Sequence, residues 1–284
     1  MVSPQNAFSI DVEDYFDVSV FDGRLSGELR AGLPSRVEGS VRAIIALLEE
    51  ANVSATFFCL GSVAKSKPSL IREIHAHGHE IASHGVTHTK LDHLGEDATR
   101  RELRDSKALL EDITGAVVCG FRAPSFSITH RNLWALDAIL DAGYLYDSSI
   151  FPIGRPDYGI AGFPLSPHRA TAPSGRSIVE FPLTVATVAG VRLPVAGGGY
   201  FRLLPYGVTR WGFHNANSAG RPGMFYMHPW EVDPGQPDLR AHAGRLGAFR
   251  HYTGLTRTAG RLRSLVREFS FTRTDRILES MGLI

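Results

Sequence analysis

Cysteine is scarce: Cys59 and Cys119 are the two in 284 residues. That number is too small for a disulfide framework or a metal cluster of their own, and it fits a reduced compartment. Long apolar runs are missing as well. The longest strongly helical one, at 44–48, falls far short of the roughly 20 residues that span a bilayer. Net charge is almost absent, because 30 Lys plus Arg stand against 29 Asp plus Glu, so no overall field draws the chain to nucleic acid or anionic lipid. Residues 1–7 carry neither the basic nor the apolar stretch of a secretory leader, and chemistry begins at Asp11, so a cytoplasmic protein is expected. No Gly-rich loop precedes a Lys-Ser/Thr pair, and neither HExxH nor GxSxG occurs; these absences exclude P-loop, zincin and serine-hydrolase chemistry. What remains is a composition 43% apolar, enough for one sizeable core without covalent staples.

The first two-thirds of the chain alternate strand and helix. Residues 7–10 read as a strand that ends in Asp11, Glu13 and Asp14. Val37, Val41, Ile44, Ile45 and Leu48 recur at helical spacing and predict a helix over 36–51. A buried strand is expected over 55–60, then a helix that Pro68 opens and Gly78 closes. A strand over 80–83 leads into a histidine-rich loop. The alternation continues with helices over 97–114 and 132–142 and strands over 117–121 and 144–147. From 151 to 223 Pro and Gly become dense and the helical period disappears, which predicts loops and short strands. Residues 224–227 form a last strand, and the arginine-rich tail from 239 is helical. Such alternation implies parallel strands with right-handed crossovers. Chemistry in these folds gathers at the strand ends that lead into helices, where Asp11, His84, Arg122, Asp147 and His228 all fall.

Three carboxylates within four positions repel one another unless a cation or base compensates them. Six of the twelve histidines lie between His75 and His93. His84 and His88 are four apart, a spacing that lets two imidazoles converge on one ion, with Ser83 and Thr87 beside them as supporting donors. Two imidazoles and one carboxylate leave coordination positions open, the catalytic rather than the structural arrangement. His75, His77 and His79 are expected on the exposed face of a helix end. Arg122 follows an apolar strand and needs an anionic partner, for which the acidic cluster is the candidate. Cys59 and Cys119 read as small core residues.

Taken in chain order, Asp11-Val12-Glu13-Asp14, Ser83-His84-Gly85-Val86-Thr87-His88, Arg122-Ala123-Pro124, Asp147-Ser148-Ser149 and Met227-His228 resemble five motifs of the polysaccharide deacetylases. This is the NodB-homology or carbohydrate esterase family 4 group, and the resemblance covers about residues 7–231. The DVEDYF opening, the HPWE at 228–231 and the stretch at 248–252 resemble more closely the subgroup encoded with PEP-CTERM/exosortase exopolysaccharide loci. The resemblance implies a distorted (β/α) barrel over residues 1–235 with a helical C-terminal extension, 236–284, packed on it. It implies a divalent metal, commonly Zn2+, held by His84, His88 and one acid. Val12 stands where the family carries its second aspartate, so that acid is Glu13, on the strand face of Asp11, or Asp14, the shorter and stiffer ligand.

The implied reaction removes N-acetyl groups from a polysaccharide or glycan intermediate. Asp11 would be its base, aligned by Arg122, and His228 its acid, oriented by Asp147. The backbone N–H of Ser125 or Phe126 would meet the oxyanion, although Ser125-Phe126 replaces the family's aromatic-Gly. An allantoinase-like amidohydrolase of the same fold would lose the histidine pair. An O-acetyl esterase would use the same site, and an inactive glycan-binding scaffold would lack the metal. The expected partner is an N-acetylated glycan and not nucleic acid. The basic C-terminal helices are read as packed on the barrel, with contact to the cytoplasmic membrane face as the alternative.

Overall fold

The computed structural model describes residues 4–155 and 158–284. Everything is built on strand β1 (Asn6–Val12), whose seven residues are all buried. Its apolar side chains Phe8, Ile10 and Val12 enter the main core, which leaves Ser9 and Asp11 on the opposite face by strand alternation. The strands that follow are β2 (Thr56–Cys59), β3 (Glu80–Ser83), β4 (Gly120–Phe121) and β5 (Tyr146–Asp147). Next come β6 (His168–Thr171), β7 (Ser177–Glu180), β8 (Val185–Val188), β9 (Val191–Pro194), β10 (Met224–Met227) and β11 (Phe271–Thr272). The large sheet runs β10-β1-β2-β3-β4-β5-β7-β6, with β11 also on β1 and β8–β9 as a separate hairpin. All its pairings are parallel except the β6–β7 hairpin.

The sheet curls into a half-barrel, in keeping with the distorted (β/α) barrel that the family resemblance implies. At the open side Gly197 forms a parallel bridge with Tyr226, and Tyr226 N–H donates to Ala196 O at 2.9 Å. Residue 197 must be glycine, because its φ is +140° and a Cβ would lie 1.9 Å from Tyr226 O. Helices cover the outside. Val37–Glu50 buries Val41, Ile44, Ile45 and Leu48, the stripe its spacing predicts, and Leu255–Glu268 buries Leu262 and Leu265. Among the described residues no helix is long and apolar enough to cross a membrane.

Three expectations need correction. The helix Tyr206–Ser218 lies inside the region read as loops. Its inward residues are Thr209, Gly212, Phe213 and Ala216, of which Phe213 alone gives a strong hydrophobic signal. Strands β4 and β5 shrink to two residues each. His79 is buried rather than exposed, and its Nδ1 accepts from Ala55 N–H at 3.1 Å.

Candidate active site

The register of the sheet decides which residues meet. Ile10 pairs with Met227 and Val12 with Cys59, Cys59 with Ser83, and Ser83 with Phe121. The next residues along each strand are therefore Asp11, Glu13, His84, Arg122 and His228, gathered at one rim. They face a cavity of about 720 Å³ that includes Asp11, Glu13, His84, His88 and His228 in its wall.

Asp11 is 2% exposed and Arg122 is fully buried. Arg122 Nη1 donates to Asp11 Oδ1 at 2.6 Å and to Ser9 Oγ at 3.0 Å. Its remaining donors reach Ser148 O at 3.2 Å and Ser148 Oγ at 3.0 Å, and its plane lies 4.0 Å above the Phe58 ring. A guanidinium fixed on so many sides holds one Asp11 oxygen in place. Among the described residues the other oxygen has no hydrogen-bond partner, and Asp11 lines the cavity.

Glu13, His84 and His88 each offer one ligand atom, and these atoms lie within 4.8 Å of one another. His84 Nδ1 bonds Arg122 O at 2.8 Å, which directs its Nε2 lone pair into the cluster. Burial lowers the His84 pKa to about 4, against the pull of Asp11, so the ring is neutral. His88 Nε2 and Glu13 Oε2 stand 2.9 Å apart without the alignment of a hydrogen bond. Two ligand atoms approach one ion in this way. Burial alone would raise Glu13, but His88 and then His228 outweigh it and take the carboxyl down to about 2. An ionised acid and a neutral imidazole beside a second imidazole form a donor set suited to a transition-metal dication.

Asp14, the other candidate ligand, does not join. Its carboxylate accepts from Ser35 Oγ at 2.5 Å and from Arg36 N–H at 3.0 Å, and so ties down the chain entering the helix Val37–Glu50. Asp147 does not reach His228 either. β5 pairs with β7 so that Asp147 lies opposite Glu180, and Ser149 Oγ donates to Asp147 Oδ1 at 2.5 Å. Ala123 N–H in turn donates to Ser149 Oγ at 2.8 Å, so Asp147 braces the Arg122-Ala123-Pro124 turn. Ser125 and Phe126 have positive φ, 56° and 52°, a conformation that costs non-glycine residues about 1–3 kcal/mol each. Phe126 N–H is spent on Ala123 O at 3.1 Å. Among the described residues Ser125 N–H has no such backbone partner, and Ser125 lines the cavity.

His228 has partners that the sequence reading missed. A 3-10 turn, Pro229–Val232, folds Glu231 back so that its Oε2 accepts from His228 N–H at 3.1 Å. Glu231 also lies 3.6 Å from His228 Nδ1, and Glu13 lies 3.6 Å from Nε2. Arg202 Nε clamps Glu231 at 2.7 Å. Burial would lower the His228 pKa, yet Glu13 and Glu231 raise it to about 9. Arg202, ahead of His228, overcomes burial at Glu231 and brings it to about 2. Trp230 stacks on His228 at 5.3 Å and donates through Nε1 to Glu13 Oε1 at 3.3 Å.

Fold and site together define a parallel-stranded half-barrel with a His–His–carboxylate centre on its C-terminal rim. Residues 32–144 match the family profile described as polysaccharide deacetylase, and residues 148–279 match a domain of unknown function, DUF3473. The chitooligosaccharide deacetylase of Sinorhizobium fredii is 40% identical over 82 residues, 28% of this chain and 38% of the relative. The peptidoglycan-N-acetylglucosamine deacetylase of Bacillus cereus is 32% identical over 95 residues, 33% of this chain and 34% of the relative. The chain thus aligns with only about a third of the length of each. A Mycobacterium smegmatis structure described as a polysaccharide deacetylase superposes with a TM-score of 0.58 and 23% identity, over 93% of this chain and 90% of that one. The Puue allantoinase gives a TM-score of 0.60 at 17% identity, over 97% and 89%; both are likenesses of fold. Over residues 32–144 the chain is similar to the polysaccharide deacetylases, the NodB-homology or carbohydrate esterase family 4 group.

Proposed function

We propose that this protein hydrolyses N-acetyl groups on a polysaccharide or glycan intermediate and releases acetate. The observation that carries the proposal is the convergence of Glu13, His84 and His88 beside the Asp11–Arg122 pair. Those three residues would hold a divalent metal, zinc first, which when bound supplies Lewis-acid polarisation and lowers the pKa of water. Asp11, with one oxygen fixed by Arg122, accepts a proton from the attacking water on its free oxygen. Ser125 N–H faces the carbonyl oxygen as charge grows there. His228, oriented by Glu231 and favoured in its charged form by it, donates a proton to the departing nitrogen, without which an amine is a very poor leaving group. Glu231 and Arg202 take the orienting part first expected of Asp147.

The named activities of the Sinorhizobium and Bacillus relatives support a glycan bearing N-acetylglucosamine as the substrate class. The DVEDYF opening and HPWE stretch support the finer placement in the exopolysaccharide-locus subgroup. We read residues 1–235 as the catalytic unit and 236–284 as an extension held against it.

The test is acetate release from N-acetylglucosamine oligomers, with O-acetylated xylan in parallel. Wild type should act on the amide substrate and lose activity with chelator. Asp11→Asn should be slower by about 10²–10⁴-fold and keep its metal. Full activity in that variant removes Asp11 as base, and turnover of the ester alone makes the enzyme an esterase.

A further inference from the structure

The cavity that holds the reactive centre is far larger than an acetamide requires, and its outer wall is cationic. Arg24, Lys90 and Arg250 all line it. They come from three separate segments: the turn after the short helix Ser19–Phe21, the loop beyond His88, and the helix Arg240–Tyr252. The acids in the same wall are each matched, Asp11 by Arg122, Glu13 by His88 and Glu231 by Arg202. Among the described residues none of the three forms an ion pair, and the carboxylate whose charge Lys90 feels, Asp22, lies outside the lining. They are exposed or half-exposed, so they carry full charge at little desolvation cost.

The segments of Arg24 and Arg250 are pressed together rather than loosely adjacent. A Cβ on Gly247 would lie 2.3 Å from Val20 Cγ2, and one on Gly244 would lie 3.5 Å from Arg24 Nη1. The Arg24 guanidinium therefore rests on the helix that carries Arg250. Phe126 and Tyr226, edge to face at 5.0 Å, give the same cavity an aromatic surface for a sugar ring. A neutral glycan would leave the cations unanswered. A carboxylate or phosphate would satisfy them without breaking an existing ion pair.

We infer that the cavity continues beyond the reactive centre into a subsite for an anionic group on the glycan, a carboxylate or a phosphate, held by Arg24, Lys90 and Arg250. This inference rests on the deacetylase reading above. A membrane surface is a weaker occupant, because these side chains line the catalytic cavity itself.

The experiment compares kcat/KM for acetate release from three tetrasaccharides. One is neutral N-acetylglucosamine, one alternates N-acetylglucosamine with glucuronate, and one is the neutral chain with a terminal phosphate monoester. Wild type should prefer one charged substrate about tenfold at low salt, with the preference shrinking as ionic strength rises. Which charged substrate is preferred identifies the anion. The triple variant Arg24→Ala, Lys90→Ala, Arg250→Ala should erase the preference, and Arg24→Lys with Arg250→Lys should retain it. Arg263→Ala, which removes a cation paired with Glu50 outside the cavity, should leave the preference as it is. Equal or reversed preference in wild type overturns the subsite, as does a triple variant that keeps the preference. A triple variant that loses only its sedimentation with phosphatidylglycerol vesicles also overturns it and moves the cations to a membrane role. If no tetrasaccharide yields acetate, the proposed function fails instead. Calorimetric binding of the charged tetrasaccharides to wild type and triple variant then decides the subsite by itself.

Discussion

Asp11 and Glu13 leave the same strand two positions apart and acquire different duties from their neighbours. Arg122 fixes the first, and imidazoles surround the second. His228 is raised by Glu13 and by a residue that strand-end reasoning passes over, Glu231. Glu231→Gln keeps the size of the side chain and removes the charge that Arg202 clamps. The variant should lose about 10–100-fold in kcat with little change in KM, read by steady-state acetate release; an unchanged kcat contradicts the orienting role. Glu231 was within reach of the sequence. A capping box is a Ser or Thr at the N-cap followed three places later by Glu or Gln, and His228-Pro229-Trp230-Glu231 keeps the glutamate with a histidine in the N-cap place. The choice between Glu13 and Asp14 was not within reach, since it depends on Ser35 and Arg36, which claim Asp14 from more than twenty residues away. Asp147 was misassigned because its strand end looks like the others, whereas its neighbour in the sheet is Glu180.

At the level of elements, the β/α alternation over the first 150 residues was readable because its helices carry clear apolar stripes and its strands are buried runs. The helix Tyr206–Ser218 was not, because glycine, threonine and alanine make much of its inner face. Strand β11 was hidden for a different reason. Two residues pairing with β1 at Asn6 and Ala7 leave no periodic trace. That pairing and the buried face of Leu255–Glu268 tie the C-terminal segment to the centre of the sheet. Leu262, fully buried in the main core, makes this measurable: Leu262→Ala should cost about 2–5 kcal/mol, seen in denaturant unfolding. A chain ending at residue 235 should lose its cooperative thermal transition. A sharp transition in that truncated chain would show that the extension is dispensable for folding.

Across the whole molecule, buried carboxyls give stability a pH dependence opposite to that of salt-bridged acids. Burial first, then the charge of Asp275, raises Glu80 to about 8. Burial likewise raises Asp147 to about 6. Folded protein keeps these protons at pH values where the unfolded chain has released them. The contribution is whole below the ordinary carboxylate range and fades as pH rises from about 4.5 toward 8. Below about pH 6.5 the buried neutral His79, His84 and His251 act in the opposite sense, so Tm should fall from pH 6.5 to pH 8. Glu80→Gln mimics the protonated acid toward Thr56 and Tyr146, and it should flatten that fall by about 2–4 °C for each kcal/mol recovered. An identical slope in the variant would assign the dependence to other groups.

The most direct test is elemental analysis of the purified chain and three variants. Wild type should hold one divalent transition metal per chain, Glu13→Ala and His84→Ala should lose it, and Asp14→Asn should retain it. Metal-free wild type, or full occupancy after Glu13→Ala, would contradict a centre built from Glu13, His84 and His88.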